Sequence, residues 1–441
     1  MDLNLSKSRE LFEKIEKIVP GGIHSNIRYL SNLQQNIFFS RGSGSRLWDV
    51  DGNEYIDCVV NMGALILGHG HPKVSEAVKL QVDTGLVGSL ETELSVKVAE
   101  ELTRMIPCAE ALKFSNTGTE AVMKAIFLAR AYTGKGKIIK MEGSYHGHYD
   151  SVLFSYHPDL KSAGPESNPN PVSESKGLMR GAQENIVIVP YNNAEAAEKA
   201  IKKYRGEIAA IVVEPVMFNS GCILPKDGYL NALRDICDEN DILLIFDEVI
   251  TGFRSAPGGA QEYYGVKPDL AIFGKAIANG YPLSAIAGRG DIIELSKPGK
   301  GVFYAGTFNG HLISLAAASA VLELTKDGGI QKGLHEKSGE LSKRAEEIAA
   351  ELKMDAKLYG FAGQFQIYFT REDVWDYRSA ARSDKEAYGR FQRAMLERGV
   401  FLLPSYLFHH GVTAAHTKED IELILKAMEE SMREVKKSCK G

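Results

Sequence analysis

The 441-residue sequence has little of what marks secreted, membrane-spanning or nucleic-acid-binding proteins. Its five cysteines are scattered and lack metal-ligand spacing, so we expect reduced thiols. No apolar run is long enough to cross a bilayer, and residues 1–20 lack the apolar core of a signal peptide. A net charge of −5 provides no basic surface for nucleic acid. The composition therefore predicts a cytoplasmic protein with neither a membrane nor a nucleic-acid partner.

The sequence does contain a long alternation of short apolar runs and helical segments. The clearest apolar runs are residues 138–141, 186–190, 208–214, 242–247, 270–273 and 284–288. Such runs between helices are typical of a mostly parallel sheet covered on both faces. We predict an α/β fold in which residues 65–315 form a large domain around this sheet. Residues 1–64 are predicted to form an N-terminal segment and part of a small domain, and residues 316–441 a small C-terminal domain of α+β type.

Three segments outside this alternation carry their own signals. Apolar residues at helical spacing over residues 7–18 predict an amphipathic helix, and the alternating pattern of residues 36–60 predicts antiparallel strands. Residues 158–184 are rich in Ser, Pro, Asn and Gly and show no periodicity. They predict a long loop, of the kind that often covers a ligand site.

Two chemically capable side chains follow predicted strands. Asp247 ends the run 242–247, and Lys275 stands just after the run 270–273 among Gly and Ala. Ligands collect at the carboxyl ends of parallel strands, so both positions are candidates for a site. Taken alone, Asp247 is more simply interpreted as a surface acidic residue and Lys275 as a solvated lysine. Small apolar neighbours instead favour a partly desolvated amine, which is a better nucleophile.

A third strand end resembles a phosphate-binding turn. Thr117, Gly118 and Thr119 begin a predicted helix, where exposed amides and the helix dipole favour an anion. The same residues also suit ordinary helix capping. A phosphate cradle, an acid and a nucleophilic lysine in one α/β domain are nevertheless the parts that a pyridoxal phosphate enzyme requires. The sequence therefore predicts pyridoxal 5'-phosphate as the cofactor.

A further strand is followed by Tyr145, His146 and His148. The tyrosine ring could stack on a flat cofactor. The two histidines could instead hold a metal ion, but no further His, Cys or carboxylate cluster accompanies them. We therefore predict no metal site.

Taken together, these motifs resemble those of the class III aminotransferases, from about residue 5 to the C-terminus. Residues 247–254 are similar to the family's DEVxTGFR motif. The other matching motifs are Asn116-Thr117-Gly118-Thr119-Glu120-Ala121, Tyr145-His146-Gly147, Glu214-Pro215-Val216 and Gly306-Thr307-Phe308. The resemblance implies the pyridoxal-phosphate-dependent fold type I, which is the aspartate aminotransferase-like fold.

The same resemblance implies a role for each matched residue. Lys275 and Asp247 would be catalytic, with Lys275 holding the cofactor as a Schiff base and Asp247 pairing with the pyridine nitrogen. Tyr145 and Val249 would flank the ring. A homodimer with shared active sites is implied, because Thr307 of the partner subunit would help to bind the phosphate. The implied cofactor-binding residues are Thr117, Gly118, Thr119, Tyr145, His146, Glu214, Asn219, Asp247, Val249, Lys275 and Thr307.

Within the family, residues 20–28 and 415–420 resemble the glutamate-1-semialdehyde 2,1-aminomutase subgroup. Carried over from it, Ser25 and Arg28 would bind the substrate carboxylate, since an arginine can meet a carboxylate with two hydrogen bonds. On the residues alone, a surface arginine on a loop is the simpler interpretation of Arg28.

The sequence departs from this subgroup where the substrate would lie. Met217 and Phe218 precede Asn219 in place of the subgroup's Gly-Asn, and residues 404–411 lack its glutamate and carry His409. Residues 88–93 also lack its Phe-Gly-Ala-Pro. We predict that Phe218 and His409 bind substrate in a site more apolar than that of the aminomutases.

These observations favour transamination between an amino acid or amine and a keto acid or aldehyde. The partners would be a small-molecule amino donor and a keto acceptor. Aminomutase chemistry, as in glutamate-1-semialdehyde 2,1-aminomutase, is the first alternative, and racemisation or epimerisation on the same scaffold is another. A binding module that has lost catalysis is the alternative outside enzymes, and the retention of both Lys275 and Asp247 argues against it.

Overall fold

A computed structural model describes residues 3–33 and 35–438 of the chain. The chain divides into two compact units. The first takes in Met1–His71, Gly333–Asp373 and Arg382–Gly441, and the second takes in Pro72–Lys332 and Val374–Ala381. Within the described residues, no helix has the length and apolar character needed to cross a membrane.

The secondary structure elements are numbered in chain order. The strands are β1 (Phe39–Ser43), β2 (Arg46–Asp49), β3 (Glu54–Asp57), β4 (Ala111–Ser115), β5 (Lys137–Met141), β6 (Ile186–Val189), β7 (Ile208–Val213), β8 (Leu243–Glu248), β9 (Leu270–Phe273), β10 (Ser284–Gly288), β11 (Lys357–Phe361), β12 (Gln364–Tyr368), β13 (Val400–Phe401) and β14 (His410–Gly411). The α-helices are α1 (Ser6–Glu16), α2 (Pro72–Thr84), α3 (Glu93–Met105), α4 (Gly118–Thr133), α5 (Ala194–Lys203), α6 (Tyr229–Glu239), α7 (Ala260–Tyr264), α8 (Gly290–Ile293), α9 (Leu312–Thr325), α10 (Gly329–Glu351), α11 (Tyr377–Ala381), α12 (Lys385–Glu397) and α13 (Lys418–Ser438).

The second unit is built on a seven-stranded sheet in the order β4-β10-β9-β8-β7-β5-β6. The pairs from β9 across to β6 are parallel, and β10 runs antiparallel to both β4 and β9. Every residue of β7, β8 and β9 is buried, which is why these strands are nearly continuous apolar runs. The predicted strands and the mostly parallel α/β sheet are confirmed.

The first unit contains two smaller sheets with three long helices, α10, α12 and α13. One sheet has the order β1-β2-β3-β13, with β1, β2 and β3 antiparallel and β13 parallel to β3. The other, β11-β12-β14, is antiparallel. The apolar faces of these helices bury one core against the sheets, centred on residues such as Phe391 and Met432. The antiparallel strands predicted within residues 36–60 and the helix predicted over residues 7–18 are present as β1 to β3 and α1.

A short segment, Val374–Ala381, belongs to the second unit although the residues on both sides of it belong to the first. Its Arg378 makes a two-pronged ion pair with Glu142, with Nε to Oε2 at 2.7 Å and Nη2 to Oε1 at 2.9 Å. The third nitrogen of Arg378, Nη1, donates to the carbonyl of Gly164 at 2.9 Å. Both side chains are almost fully buried. The pair therefore fastens this segment to the end of β5.

We expect the substitution Arg378→Met to lower the free energy of unfolding by about 3–5 kcal/mol, because it leaves the Glu142 carboxylate buried without its cation. Thermal and urea unfolding of the full chain would measure the loss. Arg371→Met is the matched control, since Arg371 pairs with Asp355 at the surface and should change stability little. Equal stability of the two variants would show that the buried ion pair between Arg378 and Glu142 does not stabilise the fold.

Candidate active site

The candidate site is a pocket at the carboxyl ends of the parallel strands, and it is formed entirely within the second unit. It is lined by Gly118, Thr119, Val122, Tyr145, His146, Gly147, Glu214, Val216, Asn219, Asp247, Val249, Ile250, Thr251 and Lys275. The helix start, the acid and the lysine that the sequence singled out separately therefore share one cavity. This is the position that open α/β sheets give to ligands.

Lys275 follows β9 and opens a short 3-10 turn, Lys275–Ala278, with a positive φ of 47°. A left-handed backbone is unfavourable for a residue with a Cβ, and such conformations cluster at functional sites. Burial lowers the pKa of Lys275 to about 8, although Glu214 and Asp247 favour its charged form. The amine is therefore neutral over much of the mildly alkaline range and can act as a nucleophile.

If pyridoxal phosphate attaches at Lys275 as predicted, this lowered pKa would make the attachment dependent on pH. Only the neutral amine attacks a carbonyl, so the attachment rate should rise with pH up to about 8 and then level off. A lysine at its ordinary pKa of about 10.4 would show a rate that continues to rise well beyond that point. Stopped-flow absorbance after mixing cofactor-free protein with pyridoxal phosphate at a series of pH values would separate the two profiles.

Asp247 stands at the end of β8 and is fixed by two contacts. Its Oδ1 accepts the backbone N–H of Val249 at 3.1 Å, and its Oδ2 lies 2.7 Å from Nδ1 of His146. Burial lowers the pKa of His146 despite this carboxylate, so the imidazole is neutral at physiological pH and donates its Nδ1 proton to Asp247. The carboxylate is thus oriented in the pocket by the imidazole of His146.

Glu214 joins two loops at the side of the pocket. Its Oε1 accepts the backbone N–H of Tyr145 at 3.0 Å. Its Oε2 accepts the side-chain amide of Asn219 at 2.9 Å and also the backbone N–H groups of Phe218 and Asn219. Burial and the nearby Asp247 carboxylate raise the pKa of Glu214 to about 8, against the effect of these donors. Glu214 therefore holds Tyr145 and Asn219 in place on either side of itself.

The N-terminus of α4 has the features of an anion-binding helix start. Thr117 caps the helix by accepting the N–H of Glu120 at 3.2 Å, and the Glu120 carboxylate accepts the N–H of Thr117 in return. Gly118 is the first helical residue, and a Cβ there would lie 3.2 Å from Cγ2 of Val249. The absence of a side chain at Gly118 leaves room beside Val249, and Thr119 adds a hydroxyl to the helix start. Backbone amides and the helix dipole at such an end attract phosphate.

Pyridoxal phosphate fits this set of residues. The group needs an amine for covalent attachment, an acid for its ring nitrogen, flat walls for the ring and donors for its phosphate. The amine is that of Lys275, the acid is Asp247, and the phosphate donors are at the start of α4. The walls of the cavity include Tyr145 and Val249. Among residues 3–33 and 35–438, no group of three or more His, Cys, Asp or Glu side chains is placed to hold a metal ion.

Several residues predicted for the site are not among those that line the pocket. Phe218 is fully buried, and it is Val216 and Asn219 from its loop that line the pocket. Thr307 is exposed, with its backbone carbonyl close to Gly88. Ser25, Arg28 and His409 belong to the first unit, in which Ser25 is half-buried, Arg28 is exposed and His409 is fully buried. Their roles stay predictions.

The pocket also contains residues that the sequence analysis did not assign. Val122, Gly147, Val216, Ile250 and Thr251 line it as well. Gly147, Val216, Ile250 and Thr251 stand inside motifs already quoted, although no role was assigned to them there. Val122 lies one helical turn after Thr119, so the 3.6-residue periodicity of the helix would have found it. Gly147 has a positive φ of 105°, and a Cβ there would come within 2.8 Å of the Cα of Thr119. A glycine is needed at this point for the loop to approach α4.

The fold and the pocket together fit an enzyme that uses pyridoxal phosphate. The family profile described as aminotransferase class-III matches residues 29–425. The chain belongs to this family. The predicted fold type I is confirmed by the solved relatives, which include transaminases.

Individual relatives cover the whole chain. A curated glutamate-1-semialdehyde 2,1-aminomutase from Methanothermobacter thermautotrophicus is 44% identical over 430 residues, which is 98% of this chain and 100% of that protein. The crystal structure of an omega-transaminase from Sphaerobacter thermophilus is 29% identical with a TM-score of 0.92 and covers 98% of this chain and 100% of its own. A structure described as a transaminase with PLP bound is 28% identical, with a TM-score of 0.87 and full coverage of both chains.

Proposed function

We propose that this protein moves amino groups with pyridoxal phosphate held covalently at Lys275. The observation that carries the proposal is the convergence of the Lys275 amine, the Asp247 carboxylate and the start of α4 in one pocket. Membership of the class III aminotransferases and the solved transaminase with PLP bound support the cofactor. A location in the cytoplasm is part of the same proposal.

When bound, the cofactor supplies a carbonyl carbon to which an amino group can be joined and a ring that withdraws electrons from it. The residues of the chain bind and orient it. Asp247, oriented by His146, would pair with the ring nitrogen, and Tyr145 and Val249 would flank the ring and exclude water from it. Lys275 Nζ, with a pKa near 8, can accept a proton and return it within the same pocket. These are the requirements for moving an amino group between two carbons.

For the finer reaction, we propose transamination between two substrates. The chain keeps Ser25 and Arg28, to which the aminomutase resemblance assigns the substrate carboxylate. It departs from that subgroup in residues 88–93 and 404–411, where the rest of the substrate would lie. Overall identity reports mainly the shared fold and cofactor chemistry, whereas substrate choice depends on a few positions. The bulky Phe218 is fully buried and does not line the pocket, so its side chain does not support this preference.

The second candidate is the aminomutase reaction, in which the amino group returns to a neighbouring carbon of the same substrate. The observation that favours it is the identity of 44% with a curated aminomutase over almost the full length of both chains. The names of the curated relatives support this reaction more directly than they support transamination. Both reactions use the same pocket residues, so the pocket geometry fits either.

One experiment separates the two reactions. The purified holoenzyme is offered glutamate-1-semialdehyde, and separately a panel of amines and amino acids with and without a keto acid, while the visible absorbance of bound cofactor and the products are followed. Transamination predicts turnover only when an amino donor and a keto acceptor are both present. Rapid formation of 5-aminolevulinate from glutamate-1-semialdehyde alone would overturn it in favour of the aminomutase. A protein that binds no pyridoxal phosphate would overturn both.

We also propose that the enzyme is a homodimer with shared active sites. The second unit exposes large apolar side chains that a second copy would cover, among them Leu80, Leu90, Phe303 and Phe308. Thr307, predicted to reach the phosphate of the partner subunit, lies in the same exposed stretch as Phe303 and Phe308. Analytical ultracentrifugation should give twice the mass of the chain.

A further inference from the structure

Beyond the pocket, a row of four rings leads from its wall to helix α11. We use the term aromatic row for Tyr145, Tyr156, His157 and Tyr377, all of which belong to the second unit. The ring centroids of Tyr145 and Tyr156 are 5.0 Å apart, and those of Tyr156 and His157 are 3.8 Å apart in a stacked arrangement. His157 and Tyr377 are nearly parallel, with an interplanar angle of 9° and centroids 6.1 Å apart. Such contacts restrict the orientation of each ring in the row.

The middle of the row is also fixed by hydrogen bonds. The backbone N–H groups of Tyr156 and His157 both donate to Oε1 of Glu174, at 2.9 and 3.2 Å. His157 Nε2 lies 2.8 Å from the backbone carbonyl of Asn219. Burial lowers the pKa of His157 to about 4, so the ring is neutral and Nε2 donates its proton to that carbonyl. The row is thereby tied to the loop in which Asn219 bonds Glu214.

The far end of the row is attached to α11. The hydroxyl of Tyr377 donates to the backbone carbonyl of Pro158 at 2.6 Å, and Pro158 is the next residue in the sequence after His157. A Cβ on Gly143 would lie 2.5 Å from the Cβ of Tyr377, so the two backbones approach closely and only glycine fits. The ion pair of Arg378 with Glu142 fastens the same helix beside Gly143. Helix α11 therefore braces the loop that carries Tyr145 at both of its ends.

We propose that Tyr377, acting through His157 and Tyr156, is a positioning residue that sets the orientation of the Tyr145 ring in the cofactor pocket. This inference rests on the proposed function, since Tyr145 matters to the reaction only if a ring binds beside it. Tyr377 does not line the pocket itself. It contributes by limiting the movement of the loop from Glu142 to Pro158, so that the wall of the pocket is already in place when pyridoxal phosphate binds.

The test compares full-length Tyr377→Leu, which removes the ring, with Tyr377→Phe, which keeps the ring and removes only the hydroxyl. Three quantities are measured: the circular dichroism induced in the bound cofactor, the Kd for pyridoxal phosphate, and amide hydrogen exchange over residues 143–158. We expect Tyr377→Leu to weaken the induced signal, raise the Kd about 3- to 10-fold and speed exchange, as the loss of one aromatic contact predicts. Tyr377→Phe keeps the ring and loses only the hydrogen bond to Pro158, so it should show the same changes to a clearly smaller extent.

Two further variants keep the test decisive. Leu233→Ala truncates a fully buried residue of α6 and should lower the melting temperature while leaving the induced signal and the Kd unchanged. If Tyr377→Leu fails to fold, His157→Gln interrupts the row while retaining a donor for Asn219, and it should produce the same changes.

Wild-type values in Tyr377→Leu, or equal damage in Tyr377→Phe, would overturn the role of the row. A wild-type protein that binds no pyridoxal phosphate would instead refute the proposed function.

Discussion

Replacing Lys275 with alanine should abolish covalent attachment of pyridoxal phosphate and lower the rate of amino-group transfer by on the order of 10²–10⁴-fold from the loss of proton transfer alone. The pocket offers no second amine to take over, because Lys275 is the one lysine among its lining residues in the described chain. Borohydride reduction followed by peptide mass spectrometry would locate the attachment. In the wild type it should fall on the peptide that contains Lys275, and in Lys275→Ala no peptide should carry it.

Lys297→Ala is the matched control for this substitution. Lys297 belongs to the same unit, and its side chain is largely exposed. This variant should attach the cofactor and turn over as the wild type does. Added small amines should partly restore activity to Lys275→Ala, because they replace the missing base, and should leave Lys297→Ala unaffected. Undiminished activity in Lys275→Ala would refute the assignment of the site.

The chemistry of the pocket could be predicted from sequence because it depends on where strands end. In a parallel sheet that is buried on both faces, a continuous apolar run indicates a strand. The residue after the run then lies at the edge of the sheet where ligands bind. Asp247, Lys275 and the start of α4 satisfy this rule and share the pocket. Asp247 and Lys275 lie close together because β8 and β9 are adjacent in the sheet. The start of α4 follows β4, which β10 separates from β9, so its place in the pocket depends on the strand order.

The parts that could not be predicted depend on contacts between residues distant in sequence. Phe218 follows the end of β7 as a pocket residue would, but the turn after Glu214 directs Asn219 into the cavity and buries the phenyl ring. No local pattern distinguishes these two outcomes. The packing of Tyr377 and Arg378 against the loop after β5 spans more than two hundred residues. A short helix with no motif of its own gives no signal for such a contact.

Asp247→Asn should separate cofactor attachment from catalysis. The amide matches the carboxylate in shape. Its oxygen can keep the Val249 N–H, and its NH2 group can donate to Nδ1 of the other neutral tautomer of His146, so the pocket should keep its geometry. It cannot hold a negative charge beside the ring nitrogen, and we expect amino-group transfer to slow by on the order of 10²–10³-fold. Single-turnover measurements with a saturating amino donor would give the rate of amino-group transfer without a contribution from substrate binding.

Asp247→Asn should still attach the cofactor, and the pH dependence of the attachment rate should change. Asp247 raises the pKa of both Lys275 and Glu214, so removing its charge lowers both. A larger fraction of Lys275 is then neutral at physiological pH, and the attachment profile should move to lower pH than in the wild type.

The exposed Asp227→Asn serves as the control and should alter neither the transfer rate nor the pH dependence of attachment. Lys275→Ala loses attachment and Asp247→Asn keeps it, so together they assign the nucleophile and the acid to different residues. An Asp247→Asn variant with wild-type turnover would show that the carboxylate is needed only for structure.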